Sequence, residues 1–86
     1  MDFIVHVVTN KKLIKVYSTT NCNYCQKAKD YLKSKNLAFE EFNVGEDMEK
    51  RAEMVAKSGR MSVPVLDLDG EIVVGFQPDR IDSYLA

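Results

Sequence analysis

The sequence lacks an excess of charge of either sign, because 12 lysines and arginines oppose 13 aspartates and glutamates in 86 residues. Nucleic acids and anionic membranes are bound through clustered basic residues, so neither partner is expected. A long apolar run is also lacking. The longest, residues 3–8, is interrupted by His6 and falls far short of the roughly 20 residues that a spanning helix requires. With no basic segment before it, the sequence predicts one small cytoplasmic domain without a membrane segment.

Cysteine is scarce, and this excludes a disulfide-stapled secreted scaffold, which would need four or more cysteines in so short a chain. The 45% hydrophobic and 29% charged fractions exclude a disordered tail or a collagen-like fibre. The two cysteines form the motif Cys22-x-x-Cys25, which indicates half of a metal site or a redox dithiol. A zinc site needs about four nitrogen or sulfur ligands, and only His6 could add to the pair, so no metal is expected within one chain. Two chains could pool their cysteines around a metal or an iron–sulfur cluster.

The apolar pattern predicts the element order β-α-β-α-β-β-α. Short apolar runs predict strands over residues 13–17 and 39–44, and Asp69-Gly70 between two further runs predicts a β-hairpin. A strand–helix–strand start demands a parallel pair with a right-handed crossover, and the hairpin adds antiparallel strands, so the sheet is expected to be mixed with helices on its faces. The predicted apolar faces are Tyr24, Ala28, Tyr31 and Leu32 in the first helix, Met48, Ala52, Val55 and Ala56 in the second, and Ile81, Tyr84 and Leu85 in the third.

Four residues mark the predicted helix ends. Asp47 is expected to cap the second helix, and Pro78 to occupy the first position of the third. Asn36 and Gly59 are expected to end the first and second helices, because both tolerate a left-handed conformation.

The first twelve residues do not fit this order of elements. Residues 3–8 have the composition of a strand, but a first core strand in the middle of the sheet leaves no free edge beside it. Residues 1–12 are therefore predicted to be an N-terminal extension, either an edge strand or a mobile tail, and residues 13–86 to be the folded domain.

The C-x-x-C motif follows a predicted strand and opens a predicted helix. Unpaired N–H groups and the positive end of the helix dipole stabilise a thiolate at Cys22, which lowers its pKa toward that of reactive thiols. Cys25 lies one turn further along and is expected to be covered. Cys22 would then attack a substrate disulfide, and Cys25 would resolve the mixed disulfide. The alternative is an inert structural pair, in which Cys22 titrates like an ordinary thiol.

Pro64 stands immediately before a predicted core strand. One interpretation is an ordinary proline at the start of a strand, where no ladder hydrogen bond is lost. The other is a cis peptide bond between Val63 and Pro64, which would turn the backbone of Val63 toward the dithiol and offer its N–H and C=O to an extended substrate.

These features together resemble the glutaredoxin branch of the thioredoxin superfamily, over residues 13–86. The resemblance is carried by Val-Tyr-Ser at 16–18, Cys-Asn-Tyr-Cys-Gln-Lys-Ala-Lys at 22–29 and Lys-Ser-Gly-Arg-Met-Ser-Val-Pro at 57–64. It implies an α/β thioredoxin-like fold, with a four-stranded mixed sheet and helices on both faces. Thioredoxin itself is disfavoured, because its motif contains a tryptophan and this chain has none.

The resemblance also implies an enzyme, a thiol–disulfide oxidoreductase that reduces protein disulfides or glutathione mixed disulfides. Cys22 is implied to be the nucleophile and Cys25 the resolving thiol. Tyr24 is implied to belong to the substrate groove, and Val63 with Pro64 to form the cis-proline contact.

The electron donor is left open by departures from the family pattern. Asn23 replaces the usual proline after the first cysteine, and Thr19 stands where a basic residue often reaches glutathione. Residues 74–79, Val-Gly-Phe-Gln-Pro-Asp, resemble instead the redoxins that feed ribonucleotide reductase and are recharged by thioredoxin reductase. Arg60 is of the kind that holds a glutathione carboxylate, and it is equally consistent with a solvated loop charge. Phe76 is consistent with a core residue or with a contact for a protein partner.

The sequence thus predicts a monomer without a tightly bound cofactor and with glutathione as co-substrate. The expected partners are disulfide-containing proteins and either glutathione or thioredoxin reductase. A dimeric module that binds a metal or an iron–sulfur cluster is the alternative from another class. The candidate substrate-binding residues are Tyr24, Arg60, Val63, Pro64, Gly75, Phe76 and Gln77.

Overall fold

The computed structural model describes residues 13–85, and these form the seven elements that the sequence predicts, in the same order. The predicted extension, residues 1–12, lies outside the described residues. The strands are β1 (Ile14–Ser18), β2 (Glu40–Asn43), β3 (Val65–Leu68) and β4 (Glu71–Val74). The helices are α1 (Asn23–Ser34), α2 (Met48–Ser58) and α3 (Pro78–Leu85).

The four strands form one mixed sheet in the order β2-β1-β3-β4, which confirms the predicted architecture. β1 runs parallel to β2 and antiparallel to β3, and β3 runs antiparallel to β4. Ser18 lies opposite Asn43, while Tyr17 and Val74 both lie opposite Val65. The carboxyl ends of β1, β2 and β4 and the amino end of β3 therefore lie along one edge of the sheet. The connecting segments that leave β1, β2 and β4 and the segment that enters β3 meet there.

Local turn and cap residues lie where the backbone requires them. Asp69 and Gly70 both have positive φ, 54° and 104°, which allows a two-residue connection between β3 and β4. Asp47 caps α2 by accepting a hydrogen bond from the Lys50 N–H at 3.1 Å. Gly59 ends α2 in the left-handed conformation, with φ of 73°. The predicted strand residue Val44 is instead buried in the turn after β2.

The first face of the sheet is covered by α1 and α3 over an apolar core, beside which the buried Ser18 hydroxyl donates to Glu41. Ala28, Leu32 and Ile81 come from the helices and are fully buried, as their spacing predicts. Tyr24 was expected on the same helix face, but its side chain is 60% exposed. The remaining buried residues of this core are Ile14, Val16, Leu66, Leu68 and Val73.

The second face is covered by α2 over a smaller core of Tyr17, Val44, Met54 and Val65. Of the four residues predicted for the buried face of α2, Val55 packs against this core, but the other three do not. Met48 is 62% exposed and Ala52 and Ala56 are exposed, while Met54 is 1% exposed.

Polar groups on the second face of the sheet explain the different orientation of α2. The sheet contributes the hydroxyl of Tyr17 and the carboxylate of Asp67. On α2, Glu53 bonds Tyr17, and Lys57 bonds both Tyr17 and Asp67. Buried polar groups are stable only when they are paired, so the charged face of the helix turns inward. The spacing of apolar residues in the sequence does not show which polar groups of the sheet α2 will contact.

Candidate active site

The two cysteines lie at the start of α1, at the edge of the sheet where the four connecting segments meet. Cys22 is the N-cap residue, in an extended conformation with φ of −130° and ψ of 109°. Its Sγ accepts a hydrogen bond from the Cys25 N–H at 3.1 Å, and its C=O accepts from Gln26 N–H at 3.1 Å. The two sulfurs form a disulfide with a Cα–Cα distance of 5.2 Å. The structure is therefore that of the oxidised pair.

Access to the two sulfurs is unequal. Cys25 is 1% exposed and lies within the first turn, whereas Cys22 is only partly covered. The first turn of α1 contains no acidic residue, so the positive end of the helix dipole is not neutralised there. After reduction, the Cys25 N–H and the dipole both favour a thiolate at Cys22, the sulfur that a substrate can reach.

The segment before Cys22 is fixed by Asn43, which the sequence reasoning did not single out. The Asn43 amide donates to Thr20 Oγ1 at 3.1 Å and accepts from the Gly45 N–H at 2.9 Å. The Val44 N–H donates to the Ser18 C=O at 2.8 Å, directly after the strand pair. Asn43 thereby ties the segment after β1 to the turn after β2. An asparagine two residues before a glycine was the available signal.

Pro64 and Gly75 lie side by side at the same edge. The Val63–Pro64 peptide bond is cis, and the Pro64 C=O accepts a hydrogen bond from the Gly75 N–H at 2.8 Å. Gly75 has φ of 87°, a conformation that favours glycine. The Gln77 side chain donates to the Val74 C=O at 2.7 Å and so closes this bend upon itself.

The other candidate substrate residues differ in exposure. Tyr24 and Arg60 are exposed, and the Lys27 ammonium lies 4.9 Å from the centre of the Tyr24 ring. Val63 is partly buried against the second core. Met61 was not predicted as a site residue, yet it is 61% exposed, two residues before Val63.

Phe76 packs inward. Its ring lies edge-to-face with Tyr31, with 5.8 Å between the ring centres, and it packs against the first core. Of the two interpretations open in the sequence, the structure agrees with the packing role. The ring is partly, not fully, buried, so one part of it stays at the surface.

A cluster of four charged or hydroxyl side chains joins α2 to the sheet on the second face, and the sequence reasoning missed it. The Tyr17 hydroxyl donates to Glu53, and the Lys57 ammonium lies 2.9 Å from Tyr17 Oη and 2.7 Å from Asp67 Oδ2. Asp67 also accepts the Gly70 N–H at 2.7 Å. We name these residues, Tyr17, Glu53, Lys57 and Asp67, the α2 charge cluster.

Protonation in the α2 charge cluster follows from this pairing. The Tyr17 hydrogen bond lowers the pKa of Glu53 to about 2. Burial opposes the charge of Asp67, but Lys57 and the Gly70 N–H hold its pKa below the ordinary value. Burial likewise opposes the charge of Lys57, yet the bonds to Asp67 and Tyr17 raise its pKa. Glu53, Asp67 and Lys57 are therefore all charged at neutral pH.

Residues 13–85 contain neither a metal site nor a membrane-spanning helix. In that part of the chain, no three His, Cys, Asp or Glu side chains are grouped as a metal site. No helix within it is long and apolar enough to cross a bilayer.

Several known proteins are similar to this chain in sequence or in structure. The glutaredoxin family model matches residues 14–73. An uncharacterised glutaredoxin-like 8.6 kDa protein from the rubredoxin operon of Clostridium pasteurianum is 48% identical over 73 residues, 85% of this chain and 97% of that protein. Glutaredoxin 3 of Escherichia coli K12 is 36% identical over 62 residues, 72% of this chain and 75% of that protein. The solved NrdH-redoxin from Escherichia coli, described as having a thioredoxin-like activity profile, superposes with a TM-score of 0.74 at 28% identity, over 83% of this chain and 92% of that one.

Proposed function

Because the chain belongs to the glutaredoxin family and is a thiol–disulfide oxidoreductase, we propose that it reduces protein disulfides by a dithiol cycle in which Cys22 attacks and Cys25 resolves. One observation carries this proposal. The accessible Cys22 sulfur caps α1, and the buried Cys25 sulfur lies within bonding reach behind it.

The cycle transfers two electrons to the substrate. The Cys22 thiolate attacks one sulfur of the substrate disulfide, and the other substrate sulfur leaves as a thiolate that takes up a proton. Cys25 then gives up its proton and attacks Cys22 Sγ, which releases the second substrate sulfur. The substrate ends as two thiols, and the enzyme ends with the Cys22–Cys25 disulfide, the state that the structure contains.

Substrate binding is proposed at the edge where the connecting segments meet. The backbone of Val63, beside Pro64, would pair with an extended substrate segment, and the exposed Tyr24 and Arg60 would flank it. The hydrogen bond between Pro64 and Gly75 supports a single binding surface made from both segments. Gly75 and Gln77 contribute the bend, and Phe76 contributes packing with a partly exposed edge.

Two electron donors are proposed for returning the enzyme to the dithiol state. Glutathione is favoured by Tyr24 and by Arg60, which can bind a carboxylate. Thioredoxin reductase is favoured by residues 74–79 and by the likeness to NrdH-redoxin. Neither route needs a tightly bound cofactor. A monomer that acts in the cytoplasm, where thiols are kept reduced, fits both routes.

The roles of the cysteines are tested with single variants. Cys22→Ser should abolish turnover, because no second accessible thiolate exists among residues 13–85. Cys25→Ser should abolish the dithiol reduction of insulin but spare the reduction of a glutathione mixed disulfide, which needs one cysteine only. Equal activity of Cys22→Ser and wild type would contradict the assigned nucleophile.

The donor is tested by supplying NADPH in two parallel reactions with a small disulfide. One contains glutathione and glutathione reductase, and the other contains thioredoxin reductase alone. Turnover only in the first establishes the glutathione route, and turnover only in the second establishes the redoxin route. Absorbance of the fresh protein tests the cluster-binding alternative, because an iron–sulfur cluster is coloured and a dithiol is not.

A further inference from the structure

Lys57 belongs to the α2 charge cluster and stands just before the segment that holds the proposed substrate contacts. We propose that Lys57 is a positioning residue, which holds the last turn of α2 on the sheet and thereby fixes residues 59–64 beside the cysteines. The inference rests on the proposed function, because that segment contains Arg60, Val63 and Pro64.

The ammonium of Lys57 connects three elements. It lies 2.9 Å from Tyr17 Oη in β1, 2.7 Å from Asp67 Oδ2 in β3 and 3.4 Å from Glu53 Oε2 within α2. An ammonium has three N–H donors; two of them bond Tyr17 and Asp67, and Glu53 adds an ion pair. The Lys57 side chain thus bonds α2 to the two central strands, β1 and β3.

Burial makes this contact hard to replace. The side chain of Lys57 is 27% exposed and that of Asp67 only 12%. Removing the ammonium would leave the Asp67 carboxylate in a poorly solvated place with the Gly70 N–H as its remaining hydrogen-bond partner. A buried charge without its counter-ion is costly, so α2 would have to move to admit water, or Asp67 would have to take up a proton.

Movement of the last turn of α2 would displace residues 59–64, which contain the proposed substrate contacts. The Ser58 hydroxyl donates to the Met54 C=O at 2.8 Å and accepts from the Arg60 N–H at 3.1 Å. The Gly59 N–H donates to the Val55 C=O at 2.7 Å. The start of the segment is therefore bonded to the turn that Lys57 holds.

The cysteine helix contributes no side chain to this cluster. Cys22 caps α1 and Cys25 lies in its first turn, and α1 packs on the first face, whereas the α2 charge cluster lies on the second. A change at Lys57 should therefore alter how a large disulfide substrate is held without altering the intrinsic reactivity of the Cys22 thiolate. This separation distinguishes positioning from general loss of structure.

The test compares Lys57→Met with Lys57→Arg and with the control Lys50→Met. Lys50 also lies on α2 and pairs with Glu53, at 3.2 Å, but it has no contact with Asp67. Two rates are measured on each reduced protein: kcat/KM for insulin reduction with dithiothreitol as reductant, and the rate of Cys22 alkylation by iodoacetamide. Circular dichroism and thermal melting record the fold.

We expect Lys57→Met to lower kcat/KM for insulin about tenfold or more, mainly through KM, with an unchanged alkylation rate. Lys57→Arg should recover most of the loss, because it restores a cation beside Asp67, and Lys50→Met should behave as wild type. If Lys57→Met does not fold, Asp67→Asn, which keeps the shape of the side chain, should show the same pattern more weakly.

Three results would overturn the inference. They are an unchanged kcat/KM in Lys57→Met, an equal loss in Lys50→Met, or a parallel loss of alkylation and insulin reduction. Failure of the wild-type protein to reduce insulin would contradict the proposed function itself and would be seen before any variant is compared.

Discussion

The two faces of the sheet are held by different forces. On the first face, α1 and α3 pack over a larger apolar core, with polar contacts such as Lys29–Glu41 at its rim. On the second face, α2 packs over a smaller core and completes its contact through the α2 charge cluster. The first face carries the cysteines, and the second carries the segment that leads to Pro64.

This difference separates two demands on a redox protein. Apolar burial does not depend on pH, so the packing of α1 over the first core should change little with pH. Ion pairs between side chains depend on protonation, so residues 59–64, which follow α2, rest on a contact that acid can loosen. The comparison predicts that the two faces respond differently to core truncation, acid and salt.

Truncation of Leu32 should have the largest effect, since this side chain is fully buried in the first core. We expect Leu32→Ala to lower the free energy of unfolding by about 2–5 kcal/mol, through lost burial and the cavity left behind. Urea titration measures this loss. The exposed neighbour variant Lys33→Ala is the control and should change it by less than about 0.5 kcal/mol. A loss for Leu32→Ala as small as that of the control would show that the first face does not depend on tight packing.

Acid should weaken the second face more than the first. The pKa of Glu53 is about 2 in the folded protein against an ordinary 4.5, so its contribution is complete above pH 4.5 and is lost as the pH falls toward 2. With a side chain 32% exposed, the contribution is about 1–2 kcal/mol after allowance for solvent screening. Stability measured against pH should therefore fall less in Glu53→Gln than in wild type. Glu49→Gln, an exposed change on the same helix, should follow the wild-type curve. Parallel curves for Glu53→Gln and wild type would show that Glu53 is not coupled to folding.

The smallest effect is expected from the ion pair at the rim of the first face. Lys29 Nζ lies 2.7 Å from Glu41 Oε2, which also accepts from the Ser18 hydroxyl at 2.8 Å. The hydrogen bond from Lys29 lowers the pKa of Glu41, but this side chain is 40% exposed. Glu41→Gln should therefore cost less than about 1 kcal/mol, and the difference from wild type should shrink in high salt. A larger, salt-insensitive loss would mean that the first face also depends on charge.

The sequence was informative wherever the signal is local. The Asp69-Gly70 turn, the Asp47 cap and the end of α2 at Gly59 are set by the conformations of single residues, and each was predicted in its place. The position of Cys22 at the start of α1 follows from the same kind of pattern. The glutaredoxin resemblance, by contrast, predicted that Val63 and Pro64 lie near the cysteine motif, although the two segments are far apart in the chain.

Prediction failed where side chains meet across the fold. The exposed α2 residues Met48, Ala52 and Ala56 form a regular apolar stripe, yet the helix turns Lys57 and Glu53 toward the sheet. Asn43 was missed for the same reason, since its role depends on Thr20, which is distant in sequence. Hydrophobic periodicity shows which side of a helix is more apolar, but it does not show which residues of the sheet that side will contact.

The sequence by itself determined the order of the elements, the turns between them and the cysteine motif at a helix start, because these depend on neighbouring residues and on apolar spacing. Only the tertiary structure decided which face of α2 is buried, how Pro64 meets Gly75, and that Lys57 joins α2 to Tyr17 and Asp67. The physical reason is that a buried charge is stable only beside its partner, and the fold alone brings such partners together.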